Sequence, residues 1–258
     1  MKLELLDLDS QETWHSDFEA LVYQQDIWLR IEANLGAATP ERNEFLFQIT
    51  CAADYLKDEL AKFLRHKARE ILFARYSHVA GYHGCRVRDE NSYRTAGISP
   101  SDTSSLISEA RSLFAGIQGF DEALQNIGPQ YLSHNKDKVG LLLSCIRAKH
   151  DRNSYTRGSE LIRGLANRLG PEAKLRFAQT GKRSLIKCAI PTDWLENHTT
   201  FPVIGSFSKD LLEHLIRRRK WPEDDFVGFD GGYMITRTVP PENILEFIDM
   251  THFSDDDP

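Results

Sequence analysis

Residues 1–75 carry apolar side chains mainly at the spacing of helices. A first helix is predicted over residues 12–35, because apolar positions recur at threes and fours until Gly36, a residue typical of helix ends. A second helix is predicted from Thr39 and Pro40, which suit a cap and a first helical position, to about residue 73. The N-terminal segment is therefore expected to be mostly helical.

From residue 76 onward, short apolar runs alternate with helical stretches. The runs are rich in aromatic and β-branched residues and are bounded by Gly or Pro, which is typical of strands. Strands are predicted over residues 76–83, 141–146, 184–190 and 233–239, and helices over residues 103–113, 160–169 and 209–219. Because these elements do not follow a regular βαβ order, they predict an α+β domain over residues 76–258, after the helical segment.

The composition is that of a globular chain, with 41% hydrophobic and 27% charged residues. No stretch approaches the roughly 18 consecutive apolar residues of a membrane span, and the acidic N-terminus lacks the apolar core of a signal peptide. We therefore expect a cytoplasmic chain with no membrane partner and with reduced thiols at its four cysteines. No metal is predicted, since His83, Cys85, Cys145 and His150 match no compact zinc pattern.

The net charge of −6 argues against a protein that coats nucleic acid with its whole surface. One local basic cluster, residues 214–221, contains Arg217, Arg218, Arg219 and Lys220 and ends in Trp221. A solvated helix face is the favoured interpretation of this cluster, and a nucleic-acid groove is the alternative.

The sequence lacks the glycine-rich nucleotide motifs, H-E-x-x-H and G-x-S-x-G, which counts against the common nucleotide-binding and hydrolase folds. In their place, a predicted strand ends in His83 and Gly84. A histidine there can hydrogen-bond a sugar hydroxyl, and a glycine lets a flat amide reach the backbone N–H and C=O. Arg86 suits a pyrophosphate. On these residues alone, a histidine with its hydrogen bonds satisfied in a β-turn is the favoured interpretation.

The segment Tyr82-His83-Gly84-Cys85-Arg86, followed by Gly97-Ile98, resembles the first motif of the ADP-ribosyltransferase fold. In the diphtheria-toxin and poly(ADP-ribose) polymerase family, this motif is a Tyr/His-Gly-Thr strand followed by a helix that ends in Gly-Leu or Gly-Ile. The family histidine holds a ribose of NAD, and the backbone of the glycine holds the nicotinamide carboxamide. Cys85 stands where the family usually has Thr or Ser.

Two further segments extend the resemblance. Residues 153–160 run into the predicted helix and are similar to the middle of the fold, where an aromatic side chain stacks on nicotinamide. Tyr155 is the stacking candidate, with ordinary packing as the alternative. The family usually places a glutamate at the start of a late strand, where this chain has Asp230. Glu160 is the preferred carboxylate, although the helix dipole alone also favours an acid in a first turn.

The resemblance implies a split, mainly antiparallel ADP-ribosyltransferase-like sheet and NAD as a substrate. It implies catalytic roles for Glu160, His83 and Tyr155. The residues that it places around NAD are His83, Gly84, Cys85, Arg86, Tyr93 and Tyr155.

The activity that the resemblance implies is transfer of ADP-ribose to a macromolecular acceptor, which is RNA, DNA or protein. Bacterial toxin-like members of the family serve in toxin–antitoxin and phage-defence (antiviral defence) systems, which implies an antitoxin or a chaperone as a partner. The alternative is a catalytically inactive ADP-ribosyltransferase-like binding module, which the missing late glutamate favours.

Overall fold

The computed structural model describes residues 3–36, 45, 58–146, 158–197, 204–222 and 232–253. The chain divides into two compact units, which are described separately. Unit 1 comprises Met1–Ala80 and Pro191–Gly231, and unit 2 comprises Gly81–Ile190 and Gly232–Pro258.

The described residues contain strands and helices in an irregular order. The strands are β1 (Leu3–Leu6), β2 (Tyr76–Val87), β3 (Val139–Leu142), β4 (Lys182–Pro191), β5 (Gly232–Ile235) and β6 (Ile244–Asp249). The helices are α1 (Ser16–Tyr23), α2 (Gln25–Leu35), α3 (Glu59–Arg75), α4 (Glu90–Ala96), α5 (Thr103–Leu113), α6 (Phe120–Asn135), α7 (Glu160–Leu169), α8 (Pro171–Ala178), α9 (Trp194–Asn197) and α10 (Ile204–Lys220). The predicted α+β class is confirmed.

Unit 1 is built around helices, with α3 packed against α1 and α10. Its strand β1 runs parallel to the first part of β2, with Leu3 opposite Tyr76. The Tyr76 ring stacks on Phe18 with 6.0 Å between ring centroids, and its hydroxyl donates to the Thr13 carbonyl oxygen at 2.9 Å. Burial raises the pKa of Tyr76 to about 12, so the phenol stays protonated and joins β2 to the segment before α1.

Unit 2 is built around a sheet in the strand order β5-β3-β2-β4-β6. β3 runs antiparallel to β5, β4 runs antiparallel to β6, and β2 pairs antiparallel with β3 at Tyr82 and Leu142. The prediction of a mainly antiparallel sheet is therefore confirmed. A separate apolar cluster joins α5, α6, α7 and α8 through buried residues that include Phe114, Leu161, Leu165 and Phe177.

Two helix predictions hold with the same bounds, over residues 103–113 and 160–169. In each, a local cap defines the start, because the side chain of Asp102 or Ser159 accepts a backbone N–H of the first turn. The helix predicted over residues 209–219 lies within the longer α10.

The helix predicted over residues 12–35 is two helices, and its first residues belong to a 3-10 turn, Gln11–Thr13. The break lies at Gln24, whose backbone is extended (φ −56°, ψ 133°), so α1 ends before it and α2 begins after it. Of the second predicted helix, α3 is described, and residues 37–44 and 46–57 lie outside the described residues.

Each predicted strand has a counterpart in the structure, but most strand ends differ from the prediction because partner strands set them. The strand predicted over residues 184–190 lies within β4. β2 continues past residue 83 to Val87, so His83 and Gly84 lie within the strand. The strand predicted over residues 141–146 is shifted to Val139–Leu142, and the one predicted over residues 233–239 ends at Ile235. These bounds agree because β3 and β5 pair from Val139 opposite Ile235 to Leu142 opposite Gly232.

Gly97 ends α4 with a φ of +75°, and the next residue, Ile98, exchanges two backbone hydrogen bonds of 2.9 Å with Val239. A Cβ at position 97 would overlap the Val239 carbonyl oxygen. We expect Gly97→Ala to lower the free energy of unfolding by at least roughly 1–3 kcal/mol, the cost of a non-glycine residue in this backbone region. Urea unfolding measures this loss.

Gly116→Ala is the matched control for this prediction, because Gly116 also has a positive φ (+82°) but faces open space. It should lose less stability than Gly97→Ala. Equal losses in the two variants would contradict the close approach of Val239.

Candidate functional site

A cavity of about 510 Å³ opens beside β2 in unit 2. β2 and β3 are paired at Tyr82 and Leu142, and the residues of β2 that follow Tyr82 form one wall of the cavity. Gly140, on β3, also lines it. We call this space the β2 cavity. Six of the residues proposed from the sequence line it: His83, Gly84, Cys85, Arg86, Tyr93 and Glu160.

The His83 ring is held by a hydrogen bond to the facing strand. Its Nδ1 lies 2.9 Å from the Gly140 carbonyl oxygen, and because a carbonyl oxygen only accepts, Nδ1 carries the proton and donates. Burial lowers the pKa of His83, and the bond to Gly140 partly offsets this. The neutral ring therefore offers Nε2 as an acceptor, which suits a ligand hydroxyl.

Cys85 and Tyr93 are joined across the base of α4. The Tyr93 hydroxyl donates a hydrogen bond to the Cys85 sulfur, and the Tyr93 ring packs edge-on against Phe247 with 6.0 Å between centroids. Burial raises the pKa of the Cys85 thiol to about 12, so the sulfur is protonated at neutral pH and is no nucleophile. The pair fixes α4 against β2.

Arg86 bridges β2 and the segment after α8. Its Nη1 donates to the carbonyl oxygens of Ala178 at 2.8 Å and Gly181 at 3.0 Å, and its guanidinium lies 4.9 Å from the centroid of the Phe177 ring. Burial lowers the pKa of Arg86, and the nearby charge of Arg183 lowers it further. Nη1 is thus engaged within the protein, in contrast to the two-donor contact with a pyrophosphate that the sequence suggested.

Glu160 enters the cavity from α7. It is the first residue of that helix and is exposed, whereas Leu161, Ile162 and Leu165 of the same helix pack into the apolar cluster. Glu160 and the β2 residues are far apart in sequence, and the fold brings them to one space. Tyr155 and Asp230, the other candidates, lie outside the described residues.

Several cavity residues were not found from the sequence. Lys138 and the exposed Lys136, just before β3, line the cavity. Arg88 and Glu109 also line it, and their charged groups are 2.7 Å apart. For Lys136 and Lys138, the sequence did offer a signal, which is two lysines in alternate positions just before a strand. Arg88 and Glu109 carry no such signal, since isolated charges on a strand end and a helix resemble ordinary surface residues.

The basic cluster of residues 214–221 is engaged inside unit 1. Arg217 pairs with Glu213 at 2.7 Å, and Lys220 lies 3.5 Å from Glu32. Arg219 lies 4.1 Å from the centroid of the Trp28 ring, which is a cation–π contact. These three side chains are partly buried and in contact with the unit, so they do not form the solvated helix face that was expected. The same contacts argue against a nucleic-acid groove.

His83 predicts a pH dependence of stability. Because its pKa is lowered in the folded protein, the stability that it contributes is present above the unfolded pKa of about 6.5 and is lost as the pH falls through the folded pKa. His83→Asn keeps a neutral donor near Gly140, so we expect it to flatten the fall in unfolding free energy below pH 6.5. Urea unfolding at several pH values measures this fall.

His214 also has a pKa lowered by burial, so the difference between the parent and His83→Asn is the informative quantity. An unchanged fall in His83→Asn would contradict a partly buried His83 whose pKa is lowered in the folded protein.

Comparison of the chain with protein-family models, with curated proteins and with solved structures finds no match in any of the three. Within the described ranges, no group of three or more His, Cys, Asp or Glu residues is placed to hold a metal ion. The helices of that same part of the chain include none that is long and apolar enough to cross a bilayer.

Proposed function

We propose that unit 2 is an NAD-dependent ADP-ribosyltransferase and that the β2 cavity binds NAD as a substrate. One observation carries the proposal: the β2 and α4 residues chosen from the sequence for contact with NAD line the same cavity as Glu160 of α7, the preferred catalytic carboxylate. The volume of about 510 Å³ is in the range of small-molecule sites, and cationic and carboxylate side chains both reach it.

The nicotinamide end of NAD is assigned to the wall formed by β2. The half-buried Gly84 has no side chain to obstruct a flat carboxamide, whose N–H and C=O match the backbone groups of a strand. His83 Nε2 accepts a hydrogen bond from a ribose hydroxyl, since its Nδ1 proton is used at Gly140. The pyrophosphate lies near Lys136 and Lys138, and Arg86 contributes through its charge.

The reaction begins with cleavage of the bond between ribose C1′ and the nicotinamide nitrogen. The bonding electron pair leaves with nicotinamide, which becomes neutral, and the ribose develops a positive charge. The Glu160 carboxylate offsets this charge in the transition state, as carboxylates do for glycosyl cations. A lone pair of the acceptor then bonds to C1′ from the opposite face, and the acceptor releases its proton to water.

The acceptor is a macromolecule, and the role is that of a toxin or a phage-defence effector acting on RNA, DNA or protein. An antitoxin or a chaperone would inhibit such an activity. This role rests on the resemblance of residues 155–160 to toxin-like ADP-ribosyltransferases, and labelling of peptide, RNA or DNA identifies the acceptor.

The alternative is an inactive module that binds NAD without turnover. Two contacts favour it: Arg86 Nη1 donates to backbone carbonyl oxygens, and Glu109, the second carboxylate lining the cavity, is paired with Arg88. Release of nicotinamide by the purified chain distinguishes the two, because only the enzyme produces it.

Gly84→Val places a branched side chain where the carboxamide is proposed to approach the backbone. A β-branched residue suits an extended strand, so the fold should persist. We expect NAD affinity to fall at least about tenfold, the effect of losing one to two hydrogen bonds. Calorimetric titration measures affinity and urea unfolding checks the fold; equal affinity in a folded variant would place NAD elsewhere.

Glu160→Gln keeps the shape of the side chain and removes its charge. The charge on ribose exists mainly in the transition state, so we expect a loss of about 10²–10³ in kcat with little change in NAD affinity. Nicotinamide release under single-turnover conditions measures the rate. The matched control is Glu172→Gln, which removes another exposed first-turn glutamate, on α8, that does not line the cavity.

Asp230→Asn is the paired variant, since the two carboxylates were alternatives for one role. Turnover preserved in Glu160→Gln but abolished in Asp230→Asn would transfer the role to Asp230. Turnover preserved in both variants would remove the carboxylate mechanism.

A further inference from the structure

A second, larger cavity adjoins the β2 cavity in unit 2. It has a volume of about 1020 Å³ and lies between α5 and the segment that follows α8. Four residues line both spaces: Arg88, Glu109, Leu113 and Thr180. We call the second space the serine groove, because Ser108 and Ser112 line it from one face of α5.

An ion pair marks the boundary between the two spaces. Arg88 Nη2 lies 2.7 Å from a Glu109 carboxylate oxygen, and Arg88 Nε donates to the Thr180 carbonyl oxygen at 2.7 Å. These contacts join β2, α5 and the segment after α8 at the point where the cavities meet. A ligand in the serine groove therefore lies next to whatever the β2 cavity holds.

The serine groove offers neutral hydrogen-bonding groups. The Ser108 and Ser112 hydroxyls and the Gln179 side-chain amide are exposed, line the groove, and make no hydrogen bond within the described structure. Serine hydroxyls and a primary amide both donate and accept. They match the alternating N–H and C=O groups of an extended peptide.

The charged groups of the groove are already engaged. Arg176 Nη1 donates to the carbonyl oxygens of Leu113 at 3.2 Å and Ala115 at 2.8 Å, and Arg176 Nη2 lies 2.6 Å from Glu172. Arg88 is paired with Glu109. Among the described residues that line the groove, none is aromatic. Single-stranded nucleic acids are usually bound by cationic grooves with aromatic stacking platforms, so this lining favours a peptide.

We propose that the serine groove binds an extended, polar polypeptide segment that accepts ADP-ribose from the β2 cavity, an inference that rests on the proposed function. In this step the C1′–nicotinamide bond breaks, nicotinamide leaves with the electron pair, and a side-chain lone pair of the peptide bonds to C1′. The proton of the acceptor group goes to water.

The test compares transfer with hydrolysis, in which water is the acceptor. The probes are isotope-labelled NAD with unstructured random-sequence peptides, and with poly(A) RNA or single-stranded DNA in parallel reactions. Ser108→Phe fills the groove from α5 without changing a residue that lines the β2 cavity. We expect the ratio of peptide transfer to hydrolysis to fall at least about tenfold.

Two further variants complete the design. Gln179→Leu removes the amide at similar volume, lies on the other wall, and should raise the peptide KM roughly three- to tenfold. It keeps the test decisive if Ser108→Phe fails to fold. Ser104→Phe is the matched control, because it puts the same side chain on an exposed position of α5 that lines neither cavity, so its ratio should equal that of the parent.

Each other outcome overturns a defined statement. Parent-like ratios and KM values in Ser108→Phe and Gln179→Leu would overturn the groove assignment alone. Label on RNA or DNA but not on peptide, or hydrolysis without any transfer, would overturn the peptide acceptor and leave NAD cleavage standing. No nicotinamide release by the parent protein would overturn the proposed function together with this inference.

Discussion

The two hydrogen bonds from Arg86 Nη1 to the carbonyl oxygens of Ala178 and Gly181 hold the walls of the candidate site in place. A partly buried guanidinium makes strong, charge-assisted bonds, and here they fix the segment after α8 against β2. Thr180 and Gly181, which belong to that segment, line the serine groove. His83 and Gly84, on the same strand, line the β2 cavity. Support and binding are thus divided among neighbouring residues of one strand.

The position next to Gly84 has an analogous supporting role. In the family that the sequence resembles, a hydroxyl residue usually follows the glycine, whereas here the Cys85 thiol accepts a hydrogen bond from Tyr93. A buried, protonated sulfur is a weak hydrogen-bond partner for a polar ligand. The Cys85 side chain instead holds α4 in place through Tyr93. Gly97 then lets the chain turn at the end of α4 and pair with Val239. The cavity wall beside Tyr93 is therefore defined by local packing.

The sequence predicted the features that depend on local interactions. The bounds of α5 and α7 follow from Asp102 and Ser159, which cap their own helices. Strand bounds could not be predicted in this way, because Leu142 and Ile235 end their strands where the partner strand ends. The break at Gln24 also carries no sequence signal, since glutamine is an ordinary helical residue.

The residues of the candidate site also fall into those that local sequence features identified and those that they did not. His83, Gly84 and Glu160 were identified from a short motif and a helix start, and the fold brings them to one cavity. Arg88 and Glu109 were missed, because their importance depends on which cavity they line, and spacing along the chain does not encode this.

The Arg88–Glu109 pair has a consequence for energetics, since both residues line both cavities. A ligand that moves either side chain in one cavity alters the surface that the other cavity offers. Thermodynamic linkage then requires reciprocity: if occupancy of the first space tightens or weakens binding in the second, the reverse effect has the same size. A ligand that moves this ion pair therefore couples the two occupants, whichever arrives first.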